Sequence, residues 1–170
     1  MMDKLKNSPH NVCAMTEFRA EVGFSALSQV EAYWEALRGT RLVPKRSDID
    51  PRGIESALEY TFVVERIAPG MARIRIAGSH LSDLMGMEVR GMPLTSLIAP
   101  SGRRQVNDLI EDVCQRPALC EMRLNADTTI TKSHLDARML LLPMKSDLGD
   151  VSRILGCFVA RGDIGVAPRR

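Results

Sequence analysis

Aromatic side chains are scarce in this chain of 170 residues: one Trp, two Tyr and four Phe, 4% in all. Flat conjugated cofactors are gripped by stacking and edge contacts from such rings, so the scarcity argues against haem or flavin. The four cysteines, Cys13, Cys114, Cys120 and Cys157, form no Cys-x-x-Cys pair and have no His at ligand spacing. That excludes the common zinc and thiol-redox patterns and points to reduced, mostly buried thiols. A net charge of +2, with no basic run longer than Lys45-Arg46 or Arg169-Arg170, leaves no electrostatic footprint for nucleic acid. No window reaches the ~20 apolar residues of a membrane span. The polar start, Met1 to Asn11, lacks the apolar run of a signal peptide. The expectation is a soluble, cytoplasmic protein.

Hydrophobic residues supply 45% of the chain, so Leu, Ile, Val and ten Met must build the core. Met is the flexible filler of irregular gaps. The length suits one domain of ~100–150 residues with extensions. The organising stretch runs from Arg73 to Leu94. Ile74 and Ile76 alternate with Arg73 and Arg75 as in a strand, and Gly78 breaks it. Ser79 offers a cap to a short helix carrying Leu81, Leu84 and Met85 on one side. Gly86 stops that helix, Gly91 turns the chain, and Pro93 restarts it. A strand followed by small helices sets a side-chain-lined wall against a sheet.

Upstream, residues 1–24 show no period and read as a flexible leader. Leu27, Val30, Trp34 and Leu37 recur at helical spacing, with Ser28 and Glu31 at capping-box distance and Gly39 at the end. This stripe fits the domain's own sheet or the same helix of a second subunit, and the two uses are compatible. Asp50-Pro51 starts a second short helix, bearing Ile54, Ala57 and Leu58 on one side. Residues 60–67 and 71–77 form a hairpin around Ala68-Pro69-Gly70. Leu94 to Ile98 make an apolar helical turn. From Pro100, Val106, Leu109, Ile110, Val113 and Cys114 define the clearest helix, with Glu111 and Asp112 on its solvated side. Three strands follow, near 119–125, 132–142 and 152–160. In the second, Leu135, Ala137, Met139 and Leu141 alternate with His134, Asp136, Arg138 and Leu140. The third is apolar on both faces, as in a central strand covered on both sides. The predicted fold is α+β: a five-stranded antiparallel sheet with a helical insertion between strands 2 and 3, and an N-terminal helix covering the sheet's other face.

Three pieces of sequence carry a resemblance. They are Tyr33-Trp34-Glu-Ala-Leu37-Arg38-Gly39 with Pro44-Lys-Arg-Ser-Asp48-Ile-Asp50-Pro51; Arg75-Ile-Ala-Gly78-Ser-His-Leu81 through Gly86, Glu88, Gly91 and Pro93-Leu94; and Arg153-Ile-Leu-Gly156. Together they resemble the PAS domains, more narrowly a group of short, single-PAS bacterial proteins, over roughly residues 27–161. The resemblance implies a leader (1–24), N-terminal cap helices (25–58), a PAS core (59–162) and a flexible tail (163–170). It also implies a sensory or protein-interaction role, often as a homodimer, with an unknown signalling protein as the further partner. No kinase, cyclase or DNA-binding output is recognisable after Arg161, so a signal must leave by protein contact.

A flavin photosensor of this fold needs a reactive Cys in the insertion, and residues 79–98 contain none. A haem would need an axial ligand; His80 at a helix start and His134 on a polar parity read as exposed or hydrogen-bonded histidines, and His10 lies in the leader. No nucleophile elbow is present, and Ser79, Ser82 and Asp83 beside His80 do not make a triad by adjacency. No catalytic residue, metal site or cofactor is therefore expected. The candidate pocket lining is Met85, Met87, Leu94, Leu97 and Ile98 from the insertion, Val106, Leu109 and Val113 from the long helix, and Met122, Met139 and Leu141 from the sheet. Such a lining suits a small apolar or acyl ligand, and the alternative is a dry, filled core. The candidate dimer interface is Leu27, Val30, Trp34 and Leu37.

Overall fold

The computed structural model describes residues 4–7, 24–128 and 133–162. Expectations for the rest of the leader, for His10 and Cys13, and for the tail lie outside those residues. One antiparallel sheet runs through the molecule in the order β1-β4-β5-β6-β2-β3. Its strands are β1 (Lys4–Asn7), β2 (Thr61–Ala68), β3 (Met71–Ala77), β4 (Cys120–Thr128), β5 (Ser133–Lys145) and β6 (Val151–Gly162). The five expected strands are all present. The hairpin β2–β3 and the meander β4–β5–β6 meet through β6 against β2, from Thr61↔Cys157 to Glu65↔Arg153. A sixth strand, β1, departs from the structureless leader read in the sequence: it pairs with β4 from Lys4↔Asn125 to Asn7↔Met122. Four residues are too few for a period of two to stand out, and only the open edge of β4 gives them a partner.

Helix α1 (Ser25–Arg38) lies on one face, and α2 (Ser79–Met85), a 3-10 turn (Leu94–Leu97) and α3 (Pro100–Gln115) lie on the other. The central strands are therefore buried twice. On the insertion side, Ala137, Met139 and Leu141 of β5 pack with Ile154 and Phe158 of β6. On the α1 side, Leu140, Leu142 and Met144 pack with Leu155, Cys157 and Val159. The polar parity of β5 is covered as well: Arg138 is fully buried, with its guanidinium 4.2 Å from the Phe24 ring centroid.

Leu27, Val30 and Trp34 belong to this α1-side core, at 0%, 0% and 4% exposure. Within one chain, then, the stripe is occupied by the sheet, and only Leu37 stays half-buried. Trp34 fixes the docking, its Nε1 donating to the carbonyl of Pro143 at 2.9 Å. Pro143 pairs with Ile154 of β6 but is tolerated inside β5, because its carbonyl faces Trp34 on the other side, where β4 has already ended at the Cys120↔Leu141 pair and no strand requires the missing N–H. Just beyond, Lys145 donates its amide to Pro44 O at 2.9 Å, and the connection after α1 continues as a parallel bridge Lys45↔Lys145. Tyr33 ties α1 to the next segment, its hydroxyl accepting from Asp50 N and donating to Asp50 O.

Several local expectations are corrected. Helix α1 begins after Phe24 without a side-chain cap, which leaves Ser28 in its interior. Asp50 does cap, accepting from Arg52 N, but the segment Pro51–Tyr60 is 3-10 in character with a kink at Ile54, and Leu58 ends 39% exposed. Ser79 is not a cap; Gly78 holds that position. A Cβ there would lie 2.4 Å from the Glu59 carbonyl oxygen and 2.5 Å from that of Leu58, so no capping side chain fits. Ile76 is 51% exposed although Ile74 is buried. A register shift pairs Ile76 with Val63, of the α1-side core, and Ile74 with Val64, of the insertion-side core.

Replacing Trp34 by Phe keeps a ring but removes the donor to Pro143. The variant should lose about 1–3 kcal/mol in urea unfolding. Trp34→Asp buries a charge in the same site and should lose more than that, with α1 undocked from the sheet as read by loss of amide protection in Leu142 and Met144.

Candidate functional site

The space between insertion and sheet is where this architecture can hold a ligand. Helix α3 turns Val106, Ile110, Val113 and Cys114 toward the sheet in a helical stripe and leaves Leu109 half-buried at the margin. Helix α2 contributes Leu81, and the 3-10 turn contributes Leu94 and Leu97. The rim is tied down by polar links. Gly91 N donates to Ile74 O at 2.6 Å and Ile74 N to Met92 O at 2.9 Å, so residues 91–92 line the outer edge of β3. Arg73 Nη1 adds a bond to Gly91 O at 2.9 Å. Arg103 Nε reaches the carbonyls of Thr95 and Ile98. Arg66 of β2 grips Glu111 of α3 with two bonds, at 2.5 and 2.7 Å. Glu111 thus leaves the solvated side assigned to it and becomes the bolt between sheet and insertion. The Arg66 guanidinium holds its carboxyl below the ordinary carboxylate range.

Of the eleven candidate lining residues, Leu94, Leu97, Ile98, Val106, Val113, Met122, Met139 and Leu141 come together in one buried cluster, with Met85 and Leu109 packed at its margin. Met87 does not join them. It is 47% exposed, because the left-handed Gly86 turns the chain outward before Val89 returns to the core. Within the cluster lies a cavity of about 10 Å³, lined by Phe62, Leu81, Leu94, Leu97, Ile98, Met139 and Phe158. Phe62, Leu81 and Phe158 lie outside the lining expected from the sequence. Phe62 gains its place from Gly156 of β6, where a Cβ would fall 2.1 Å from the ring. Only pairing two strands far apart in sequence makes that visible. The lining is wholly apolar, and the volume is that of about one water, far below the ~300 Å³ at which ligand pockets begin. Among the described residues, side chains leave this void no larger than that.

The ionisable groups nearby are sequestered. Burial pushes the Cys114 and Cys120 thiols up to about 11, well away from thiolate reactivity at neutral pH. His80 Nε2 accepts the Ala160 amide at 3.1 Å, so the nitrogen that a base or an iron ligand would present is engaged by the backbone. The neighbouring Ser79 and Asp83 are exposed. The side chain of His134 lies outside the described residues. Among the described residues, no group of three or more His, Cys, Asp or Glu is placed to hold a metal ion, and no helix is long and apolar enough to cross a membrane.

A single antiparallel sheet with an N-terminal helix on one face and a helical insertion across the other defines a small α+β domain. The chain belongs to the PAS domain family, whose pattern matches residues 23–159. PAS domains are sensory modules of signalling proteins, and that is the general class of this one. Two similar solved structures are the light-state LOV domain of the blue-light photoreceptor Aureochrome1 and the PAS domain of Bordetella pertussis BvgS. The first is 13% identical with a TM-score of 0.46, covering 63% of this chain and 84% of its own. The second is 15% identical with a TM-score of 0.46, covering 79% and 87%. Among curated proteins, none matches the chain.

Gly156→Ala should cost about 1–3 kcal/mol through the forced displacement of Phe62, measured by chemical unfolding. Glu111→Gln should cost about 1 kcal/mol at neutral pH. Because the folded-state acid is lowered, this contribution is present above the ordinary carboxylate value of 4.5 and is lost as pH falls through the lowered value. Unfolding curves of the two proteins should therefore converge in acid, and a gap that persists there would contradict the assignment.

Proposed function

We propose that this PAS domain is a non-enzymatic regulatory module that acts in the cytoplasm by contact with other proteins, working as a homodimer. The observation that supports this reading is the small space between insertion and sheet: among the described residues, the void there is about 10 Å³ and leaves little for a resident ligand to occupy. The α1 face, by contrast, holds a large apolar stripe. Trp34 and Pro44 tether α1 and its following connection at one edge of the sheet, so the stripe of Leu27, Val30 and Trp34 is a latent surface that a shift of α1 would uncover. In the seated position, self-association through this helix uses its outer side, where Leu37 is half-buried and Ala32 and Ala36 are exposed. A signalling protein would compete for the same surface or for the uncovered sheet.

The second reading is a sensor for a small apolar or acyl ligand, favoured by the wholly apolar lining and by Met85, Met92 and Met139, which can rearrange. Native mass spectrometry of the purified chain together with sedimentation over a range of concentrations separates the two. A ligand-free dimer supports the first reading, and a stoichiometric bound molecule supports the second. A monomer at every concentration would remove self-association from the proposal.

A further inference from the structure

His80 stands where the sheet is incomplete. Strand β6 runs on to Gly162, past its last pair with β2 at Thr61↔Cys157. The amide of Ala160, in that overhang, is met by a side chain instead of a strand: it donates to His80 Nε2 at 3.1 Å, across 80 residues of sequence. The ring is held in place, with the Tyr60 ring edge-on at 4.8 Å between centroids and Phe158 tilted at 6.3 Å. Phe158 and Leu81, the next residue after His80, both line the internal cavity. One imidazole thus touches the wall of the interior and the last turn-free stretch of β6. An imidazole that accepts at Nε2 must be neutral, with its single proton on Nδ1. A second proton would put a donor in front of a donor.

We propose that His80 is a proton-operated latch on the end of β6. Neutral, it takes the place of the absent β2 residue and binds the strand to α2. Protonated, it releases the Ala160 amide while β5 still pairs with residues 160–162 on the other side, and α2 loses its polar tie to the sheet. The groups around it come from each packed element: Glu59 of the 3-10 segment and Asp83 of α2 favour the charged ring, whereas Arg161 of β6 opposes it. Burial opposes it most and holds the ring below its ordinary value of 6.5. The latch therefore contributes fully above pH 6.5 and opens as pH falls through the lowered folded value. This device depends on the contacts of His80 within one chain, not on dimerisation or on a ligand.

The test is NMR on the full chain, following the His80 ring nitrogens and the exchange protection of the Ala160 amide from neutral pH down through the ring's own titration. At neutral pH, Nε2 should be the unprotonated nitrogen. As the ring titrates, Ala160 should lose protection at least ~tenfold relative to Leu155 in mid-strand. His80→Gln, whose side-chain oxygen accepts without titrating, should abolish that pH dependence; His80→Phe should leave Ala160 unprotected throughout. A wild-type Ala160 amide whose relative protection is unchanged across the His80 titration, or an Nε2 that carries the proton at neutral pH, overturns the latch even if neither variant folds.

Discussion

The two middle strands, β5 and β6, are 13 and 12 residues long, whereas their neighbours β4 and β2 have 9 and 8. Each middle strand therefore projects past a neighbour and carries backbone groups that no ladder can satisfy. A buried amide or carbonyl without a partner is expensive, so something must meet it. At the β5 end, Trp34 and Pro44 supply the partners; at the β6 end, His80 does. The residues that complete the sheet are thus the same ones that dock the flanking helices. Sheet length and helix placement are one constraint.

From this follows the status of α1. It is not an appendage on a finished domain, because the face it covers carries Leu140, Leu142, Leu155, Cys157 and Val159, none more than 1% exposed. At ~25 cal/mol per Å² of apolar surface, leaving that face wet would remove several kcal/mol from a domain whose whole margin is of order 5–15 kcal/mol. An α1 that shifts must therefore hand the face to something else.

The opposite face solves a different problem. Its helices are short and joined by turns, and they are fastened at the rim by arginines: Arg73 to Gly91, Arg103 to Thr95 and Ile98, and Arg66 to Glu111. Pinning the rim holds the short helices of the insertion against the apolar side chains of the sheet. Glu65, bonded to both Arg75 and Arg153, does the same work across β3, β2 and β6 on the sheet itself.

Periodicity by itself determined the strands, the long helix and the double burial of β6, because alternation and the 3.6-residue stripe are local properties of a chain facing one core. It also determined most of the interior: eight of the eleven lining candidates do meet in the insertion-side cluster. Only the tertiary structure decided matters that depend on a distant partner. Ser79 lost its capping place to Gly78 because two carbonyls of the 3-10 segment pass there. Glu111 became a bolt because Arg66 arrives from β2. Ile76 turned outward through a register shift, four residues of the leader became β1 against an open edge, and Phe62 reached the cavity over a glycine 94 positions along the chain. Each of these is set by what approaches from elsewhere in the fold, and a pattern read along one segment carries no trace of it.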